Sequence, residues 1–358
     1  MRIFDMDYFL SLAFQNRVLF LLSLAIVFLL ICSVIFAAYS ILLRIRNNRK
    51  AAHWARLETA WEQAILEVLS GEKEPLDLQQ RVGRKDTLYF VDFVMRYARR
   101  LRGQEREILT ELVRPFLSRI TERTVGGDAE RRARAVQTIS TLGFEEYTDR
   151  IIAALDDPSP LVAMIAARAL ARKEHPQHAV PVLKRLHRFQ GWSRNYLSTM
   201  LSAVGPQIAP ALRETLMDAG QPPQARAVAA EALRELNEFR AADDAVKVLE
   251  TEQDRDLLAS SLRLLAQTGR PEHLPAIRSL LGSPDFVVRA QAAGALGAIG
   301  DHQDIPLLRE AFEDPSQWVA IQAAQGLKES GGVQTLKEIA DSDHPRADLA
   351  KQVLMGEN

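Results

Sequence analysis

A single cysteine, Cys32, among 358 residues leaves no disulfide framework and no cysteine-based metal site. No G-x-x-x-x-G-K-[ST] loop is present, so the usual phosphate cradle is missing. No stretch alternates apolar and polar residues with period two, so a sheet is not expected. A formal net charge of −1 gives no global pull toward nucleic acid or anionic lipid. Ser70–Lys73 has the S-x-x-K spacing of some serine acyl enzymes, but neither K-T-G nor S-D-N accompanies it. His175 and His178 could share a metal on a helix, yet Pro176 separates them and no third ligand is near in sequence. The chain therefore reads as a non-enzyme with no cofactor and no metal.

What is present begins with 26 residues lacking a formal charge, Val18 to Leu43. As a helix they span roughly 39 Å, enough to cross an apolar layer of about 30 Å with tilt. A cleaved signal peptide would have a shorter apolar region and a small-residue cleavage site. Arg44, Arg46, Arg49 and Lys50 follow directly, and Arg56 precedes the first acid, Glu58. Arg2, Asp5, Asp7 and Arg17 lie on the other side. This bias puts the C-terminal bulk in the cytoplasm and the first residues outside, with Tyr8, Phe9 and Phe14 near the outer interface. The expected division is a short extracytoplasmic segment 1–17, a transmembrane helix 18–43, a juxtamembrane helical region 44–126 and a repeat domain 127–358. Ser33–Ala37 is the spacing that permits a close helix neighbour.

In the juxtamembrane region, Trp54, Leu57, Trp61, Ala64, Ile65, Val68 and Leu69 share one helix face, which Gly71–Pro75 ends. A second helix is expected over Thr87–Arg102, with Leu88, Val91, Val94, Met95, Ala98 and Leu101 inward. A third runs from Gln104 to about Arg123, and Pro115 should kink or split it. Arg96, Arg99, Arg100, Arg102 and Arg106 cluster around the second helix, as a patch for an anionic partner or as a solvated face.

From residue 127 onward the sequence repeats. Gly143, Glu174, Gly205, Asn237, Gly269, Gly300 and Gly331 mark the ends of successive first helices at intervals of 31 or 32 residues. Four residues before each marker stands Ile139, Leu170, Leu201, Leu233, Leu265, Leu296 or Leu327. Asp157–Pro158, Ser283–Pro284 and Asp314–Pro315 suggest an N-cap followed by proline at the first helical position. Glycine and asparagine at the markers suit the left-handed closure of a helix. A second helix follows each marker, often with an early proline: Pro181, Pro210, Pro275 or Pro306. One hairpin cannot bury both its faces, so the units must stack into a superhelix, with Asp343–Leu354 as a capping helix. The fold class expected is all-α, an α-solenoid of about seven hairpins preceded by one transmembrane helix.

The form at Ser283–Gly300, SPDFVVRAQAAGALGAIG, resembles HEAT repeats, specifically the bacterial kind called PBS-lyase HEAT-like repeats. Asp314–Gly331, Asp157–Glu174 and Pro223–Asn237 match next best. The resemblance implies a bacterial protein, second helices on a concave face, and an Asp/Arg ladder between units. Arg132, Arg194, Arg226 and Arg289 hold the ladder position, whereas Ala163, Leu258 and Ala320 interrupt it. HEAT-like hydroxylases that bind iron use His-Glu pairs, and this sequence has no His-Glu dipeptide. Binding surface is implied more than reaction type.

Candidate recognition residues on the second helices are Arg185, Arg213, Lys247, Arg278 and Arg309, with Glu214, Glu250 and Glu310 nearby. Phe189, Trp192 and Tyr196, with Arg188 and Arg194, form the densest aromatic–basic cluster, either an exposed hot spot or filling for an irregular join. Trp318, at a core-like repeat position, reads as structural. The expected role is a membrane-anchored cytoplasmic scaffold, at a bacterial inner membrane, that binds a membrane-associated protein. The bilayer is held through 18–43, and no nucleic acid is expected. Two other readings stand beside it: a bilin-lyase-like enzyme or chaperone factor, and a nucleic-acid-binding HEAT-like protein. Against the latter, residues 135–358 carry 23 Lys/Arg and 30 Asp/Glu.

Overall fold

The computed structural model describes residues 17–98, 100–101, 103–142 and 144–356, without the side chains of 17–19 and Lys50. The sequence features at 1–16, Arg99, Arg102 and Gly143 lie outside the described residues. Among the described residues there are 19 α-helices and no strand. The chain is an all-α solenoid, and it forms two compact units, one ending at Val113 and one starting at Arg114.

The first unit is built on α1, a single helix over Arg17–Leu69. The apolar segment and the Trp54–Leu69 face are thus parts of one uninterrupted rod. Every residue from Leu24 to Leu43 is exposed, whereas Trp61, Ala64, Ile65 and Val68 are buried. These pack with α3 (Thr87–Ala98), whose buried face adds Phe90 and Phe93 to the residues expected inward. Trp54 stacks on Tyr89 at 4.2 Å, and Trp61 meets Phe90 edge-on at 5.1 Å. A short helix, α2 (Pro75–Arg81), lies between them in sequence.

Helix α4 (Gln104–Thr121) contains Pro115 and is not split by it. Proline removes the N–H that would bond the Glu111 carbonyl. That carbonyl instead accepts a hydrogen bond from Gln79 Nε2 at 3.2 Å.

The second unit contains seven hairpins and a last helix. The hairpins are α5 (Ala129–Leu142) with α6 (Thr148–Ala153), α7 (Pro160–Leu170) with α8 (Val180–Leu183), and α9 (Arg194–Ser202) with α10 (Ala209–Met217). Next come α11 (Pro223–Glu235) with α12 (Ala242–Thr251), and α13 (Arg255–Thr268) with α14 (Leu274–Ser279). The last are α15 (Phe286–Ile299) with α16 (Ile305–Phe312), and α17 (Gln317–Glu329) with α18 (Val333–Ala340). Helix α19 (Ala347–Met355) packs on the last pair. All seven of the residues four before the markers, Ile139 through Leu327, have zero exposure. Each such leucine contributes about 2–3 kcal/mol by burial. Pro181, Pro210, Pro275 and Pro306 all occupy the second position of their helices, where the missing N–H costs nothing.

Two local expectations change. The sequence places Pro158, Pro284 and Pro315 at the first helical position, but α7, α15 and α17 begin two residues later. Asp157 and Asp314 are used instead to accept the N–H of Ser159 (2.7 Å) and Ser316 (2.8 Å), leaving carboxylate lone pairs for a neighbouring unit. Among the markers, Gly205, Asn237 and Gly331 have φ of 99°, 53° and 89°, as expected. Gly269 does not, with φ of −69°, and neither does Gly300, with φ of −75°. A Cβ there would lie 2.7 Å from Asp304 Oδ2, so the glycine serves close approach.

Candidate protein-binding surface

The first helices carry a ladder of ion pairs at the position the sequence marks. Arg132 reaches Asp157 through Nε (2.7 Å) and a second nitrogen (2.9 Å), and Arg289 reaches Asp314 the same way (2.6 and 3.0 Å). Arg226, 4% exposed, bonds Glu252 at 2.5 Å and the Leu216 carbonyl at 2.8 Å. The hydrogen-bonded Arg132 and Arg289 hold the carboxyls of Asp157 and Asp314 below the usual carboxylate range. Arg194 departs from the pattern: it bonds Asp256 (2.6 Å) and Ser260 (3.3 Å), two hairpins away. The small side chain of Ala225 at the start of α11 borders that crossing.

A second ladder, which the sequence reading does not contain, consumes most of the arginines assigned to recognition. Arg185 forks onto Asp156 with three contacts of 2.8–3.0 Å. Arg213 meets Asp244 at 2.6 Å, and Arg278 meets the fully buried Asp304 at 2.7 Å. These guanidiniums hold one second helix to the next, and each keeps about a third of its side chain exposed. Lys247 lies 3.9 Å from Asp244 with its side chain 61% exposed, and Arg309 is exposed. The signal available was an acid 26–31 residues away from each arginine, close to one repeat period.

The irregular join separates its aromatics. After the single turn of α8 the chain makes a 3-10 turn, Leu186–Phe189, and passes Gly191 into α9. Phe189 has zero exposure, so it belongs to the core and leaves the candidate surface. The turn that bears it contacts α7 and α11, while α7 and α9 have little direct contact. Trp192 is half-buried and stacks on Tyr196 at 5.8 Å, and Tyr196 is 37% exposed. A cleft of about 230 Å³ opens beside them, lined by Leu186, Phe189, Trp192, Arg194, Leu197 and Asp256. Burial pushes the Asp256 carboxyl up, but Arg194 and Arg255 outweigh that and hold it below its usual range. Trp318 corrects another expectation: it is 66% exposed at the second residue of α17, where the repeat turns outward.

The remaining candidates find structural partners. His175 and His178 stack 5.4 Å apart against the Phe144 ring, with the Arg172 guanidinium 4.9 Å over that ring. Asp243, Glu272 and His273 converge, but His273 Nδ1 accepts the Arg270 N–H (3.0 Å). Its other nitrogen then carries the proton toward Asp243 (3.0 Å), and Arg270 reaches Glu272 at 2.7 Å. Lys73 pairs with Glu67 at 2.6 Å, and Ser70 bonds the Glu67 carbonyl. In the first unit Arg96 pairs with Glu58 and lies over the Phe93 ring at 5.1 Å. Arg100 and Arg106 are exposed, Arg106 with a partner of its own. Arg44, Arg46 and Arg49 are exposed on α1 directly after the apolar stretch, and the Lys50 side chain lies outside the description.

Among solved structures, the chain is similar to the CpcE–CpcF complex of phycocyanin lyase from Nostoc sp. PCC7120. Identity is 18% over 66% of this chain and 86% of that one, with a TM-score of 0.33. Human deoxyhypusine hydroxylase is 18% identical over 70% and 99% of the two chains, with a TM-score of 0.31. Kap121p is 13% identical over 77% and 41%, with a TM-score of 0.36. Scores this low carry over neither curvature nor function. Comparison with curated proteins gives no match. The family model for HEAT repeats matches residues 242–328, so α12 through most of α17 is a stretch of HEAT repeats.

Proposed function

We propose that the protein is a membrane-anchored cytoplasmic scaffold, without enzymatic activity, whose solenoid binds a protein component of the same membrane. The observation that carries the reading is α1. Twenty successive residues, Leu24 to Leu43, are exposed on a helix, about 30 Å of it, which is the thickness of a bilayer's apolar layer. The same helix continues without a break into the buried Trp61–Val68 face. If residues to Leu43 sit in lipid, Trp54 stands about 16 Å beyond the apolar layer, so the first unit is held close to the surface. Tethering raises the effective concentration of two proteins on one membrane without new contacts. The basic residues Arg44, Arg46, Arg49 and Lys50 would face the anionic cytoplasmic leaflet.

Alkaline extraction of membranes tests the anchor. The full chain should stay in the pellet with residues 18–43 still attached by mass spectrometry, and protease added outside should spare the solenoid. Release into the wash, or a mature N-terminus beyond residue 43, would sink the anchored reading. Co-purification from solubilised membranes tests the scaffold, which predicts a stoichiometric membrane-associated protein.

A further inference from the structure

In the first unit the charge changes sign twice along the sequence. Arg44, Arg46, Arg49, Lys50 and Arg56 come with no acid among them. From Glu58 to Gln80 the acids are Glu58, Glu62, Glu67, Glu72, Glu74 and Asp77, against Lys73 alone. Arg81, Arg84 and Lys85 then follow before Asp86.

The fold gives that alternation a direction. Helices α1 and α3 meet through His53 and Asp86 (3.4 Å), Trp54 and Tyr89 (4.2 Å), Trp61 and Phe93 (5.8 Å), and Glu62 and Tyr97 (3.1 Å). The two numbers of each pair rise together, so the helices run parallel. The start of α3 therefore lies toward the apolar end of α1, and its end lies beside the acids. A tight turn precedes α3. In it the Asp86 N–H bonds the Gly83 carbonyl (3.0 Å), and the Thr87 hydroxyl reaches the Gly83 and Arg84 carbonyls (3.3 Å each). Arg84 and Lys85, within this turn, are exposed and form no ion pair among the described residues. Asp86 is half-buried beside His53, and Arg81 is within electrostatic reach of Glu67, farther along α1.

Height above the bilayer decides what this turn can meet. His53 follows Leu43 by ten residues, about 15 Å along the helix. Headgroups fill about 5–8 Å beyond the apolar layer. The turn thus stands within about one Debye length, roughly 8–10 Å, of the lipid phosphates before side-chain reach is counted. Tilting α1 by about 20° toward α3, whose axis is some 9 Å away, lowers the turn by a further ~3 Å. Glu58, Glu62 and Glu67 stand progressively farther off, so attraction acts on one end of the unit.

We infer that the Gly83–Asp86 turn is a second contact with the anionic leaflet, in which Arg84 and Lys85 take lipid phosphates and set the direction in which α1 tilts. The inference rests on the anchored reading and adds a contact distant from the span in sequence. One helix alone leaves the unit free to lean in any direction; two separated basic points do not.

The test uses the full chain in nanodiscs of phosphatidylcholine alone and of phosphatidylcholine with phosphatidylglycerol, with lysine acetylation followed by mass spectrometry. Lys85 should react at least about threefold more slowly in the anionic discs, and high salt should remove the difference. Lys73, just past the far end of α1, should react alike in both. Arg84→Gln should weaken the protection of Lys85 and leave the circular dichroism unchanged, since Arg84 is exposed. Equal Lys85 rates in the two discs, or equal protection by inorganic phosphate in the neutral discs, would overturn the inference. So would protection that appears only with a bound protein partner. If alkaline extraction still retains the chain, these results remove this contact alone; a chain that extraction releases loses the anchor and the contact together.

Discussion

Asp304 has zero exposure and two donors: Arg278 Nε at 2.7 Å and the Asp301 N–H at 3.2 Å. It therefore both caps the turn that opens α16 and ties it to α14. Removing it leaves a guanidinium two-thirds buried beside an unmet N–H. Asp304→Ala should cost roughly 2 kcal/mol, discounted from a buried-pair loss because Arg278 can reach water. Urea unfolding checks this; a change within about 0.5 kcal/mol would show that the pair is dispensable.

His178 makes the pH prediction. Burial first, and the neighbouring His175 second, hold its imidazolium below the ordinary value of 6.5, and its Nδ1 is buried without a hydrogen-bond partner. As pH falls through the ordinary value the unfolded chain takes up a proton that the folded chain refuses. The unfolded state then binds more protons, so stability declines with falling pH from about 6.5 down to the folded value. His178→Phe keeps the stack on Phe144 and removes the titration. The difference in urea midpoint between about pH 7.5 and about pH 5.5 should be smaller in the variant than in the wild type, and an equal difference would rule the histidine out as its source.

Among elements, α15 and α17 cross backbone to backbone. A Cβ on Gly297 would lie 2.2 Å from the Cα of Gly326, and one on Gly326 would lie 3.1 Å from the Cα of Gly297. Neither side can yield, because the obstacle is backbone. Gly297→Ala should therefore destabilise by about 1–3 kcal/mol by pushing the helices apart, despite alanine's better helix propensity. Gly294→Ala, on the same helix, meets only the end of the Gln322 side chain and should be better tolerated. Equal stability of the two variants, by thermal unfolding, would contradict the crossing. This contrast shows what could be read from one chain. The 31-residue period, the zero-exposure leucines and the early prolines follow from local chemistry and were legible. Gly300 was legible as the end of a helix, but its reason, like that of Gly297, depends on an atom in another turn or helix. The second ladder was missed for the same reason: Arg185, Arg213 and Arg278 look like free surface charge until their acids are brought alongside. Phe189 takes the gap-filling role of its two expected ones, whereas Trp318 reverses its expected structural role, because periodicity fixes a helix face poorly at the first turn of a helix.

Across the repeat unit, cohesion is uneven. Hairpins one and two are joined by Arg132–Asp157, Arg185–Asp156 and a hydrogen bond from Arg172 to the Ser140 carbonyl. Hairpins three and four share a network in which Glu235 accepts from Ser198 and Ser202. Four and five share the buried Glu231 with Arg263, and six and seven share Arg289–Asp314. Among the described residues no ion pair joins 159–184 to 193–222, and the α7–α9 packing is replaced by the turn bearing Phe189. In a stacked array, stability is a sum of units and interfaces, so the weakest interface sets where it first opens. Opening there exposes Phe189 and the backbone around Gly191, next to the exposed Arg188. Limited trypsin digestion of the native protein should cut first at Lys184 or Arg188, and native-state hydrogen exchange should show hairpins one and two losing protection apart from hairpins three to seven. Phe189→Ala should speed that first cut well before it lowers the global midpoint, because it loosens an interface between hairpins that has no ion pair among the described residues. A first cut elsewhere in the repeats, or uniform exchange from α5 to α18, would show that the buried Phe189 alone makes this seam as strong as its neighbours.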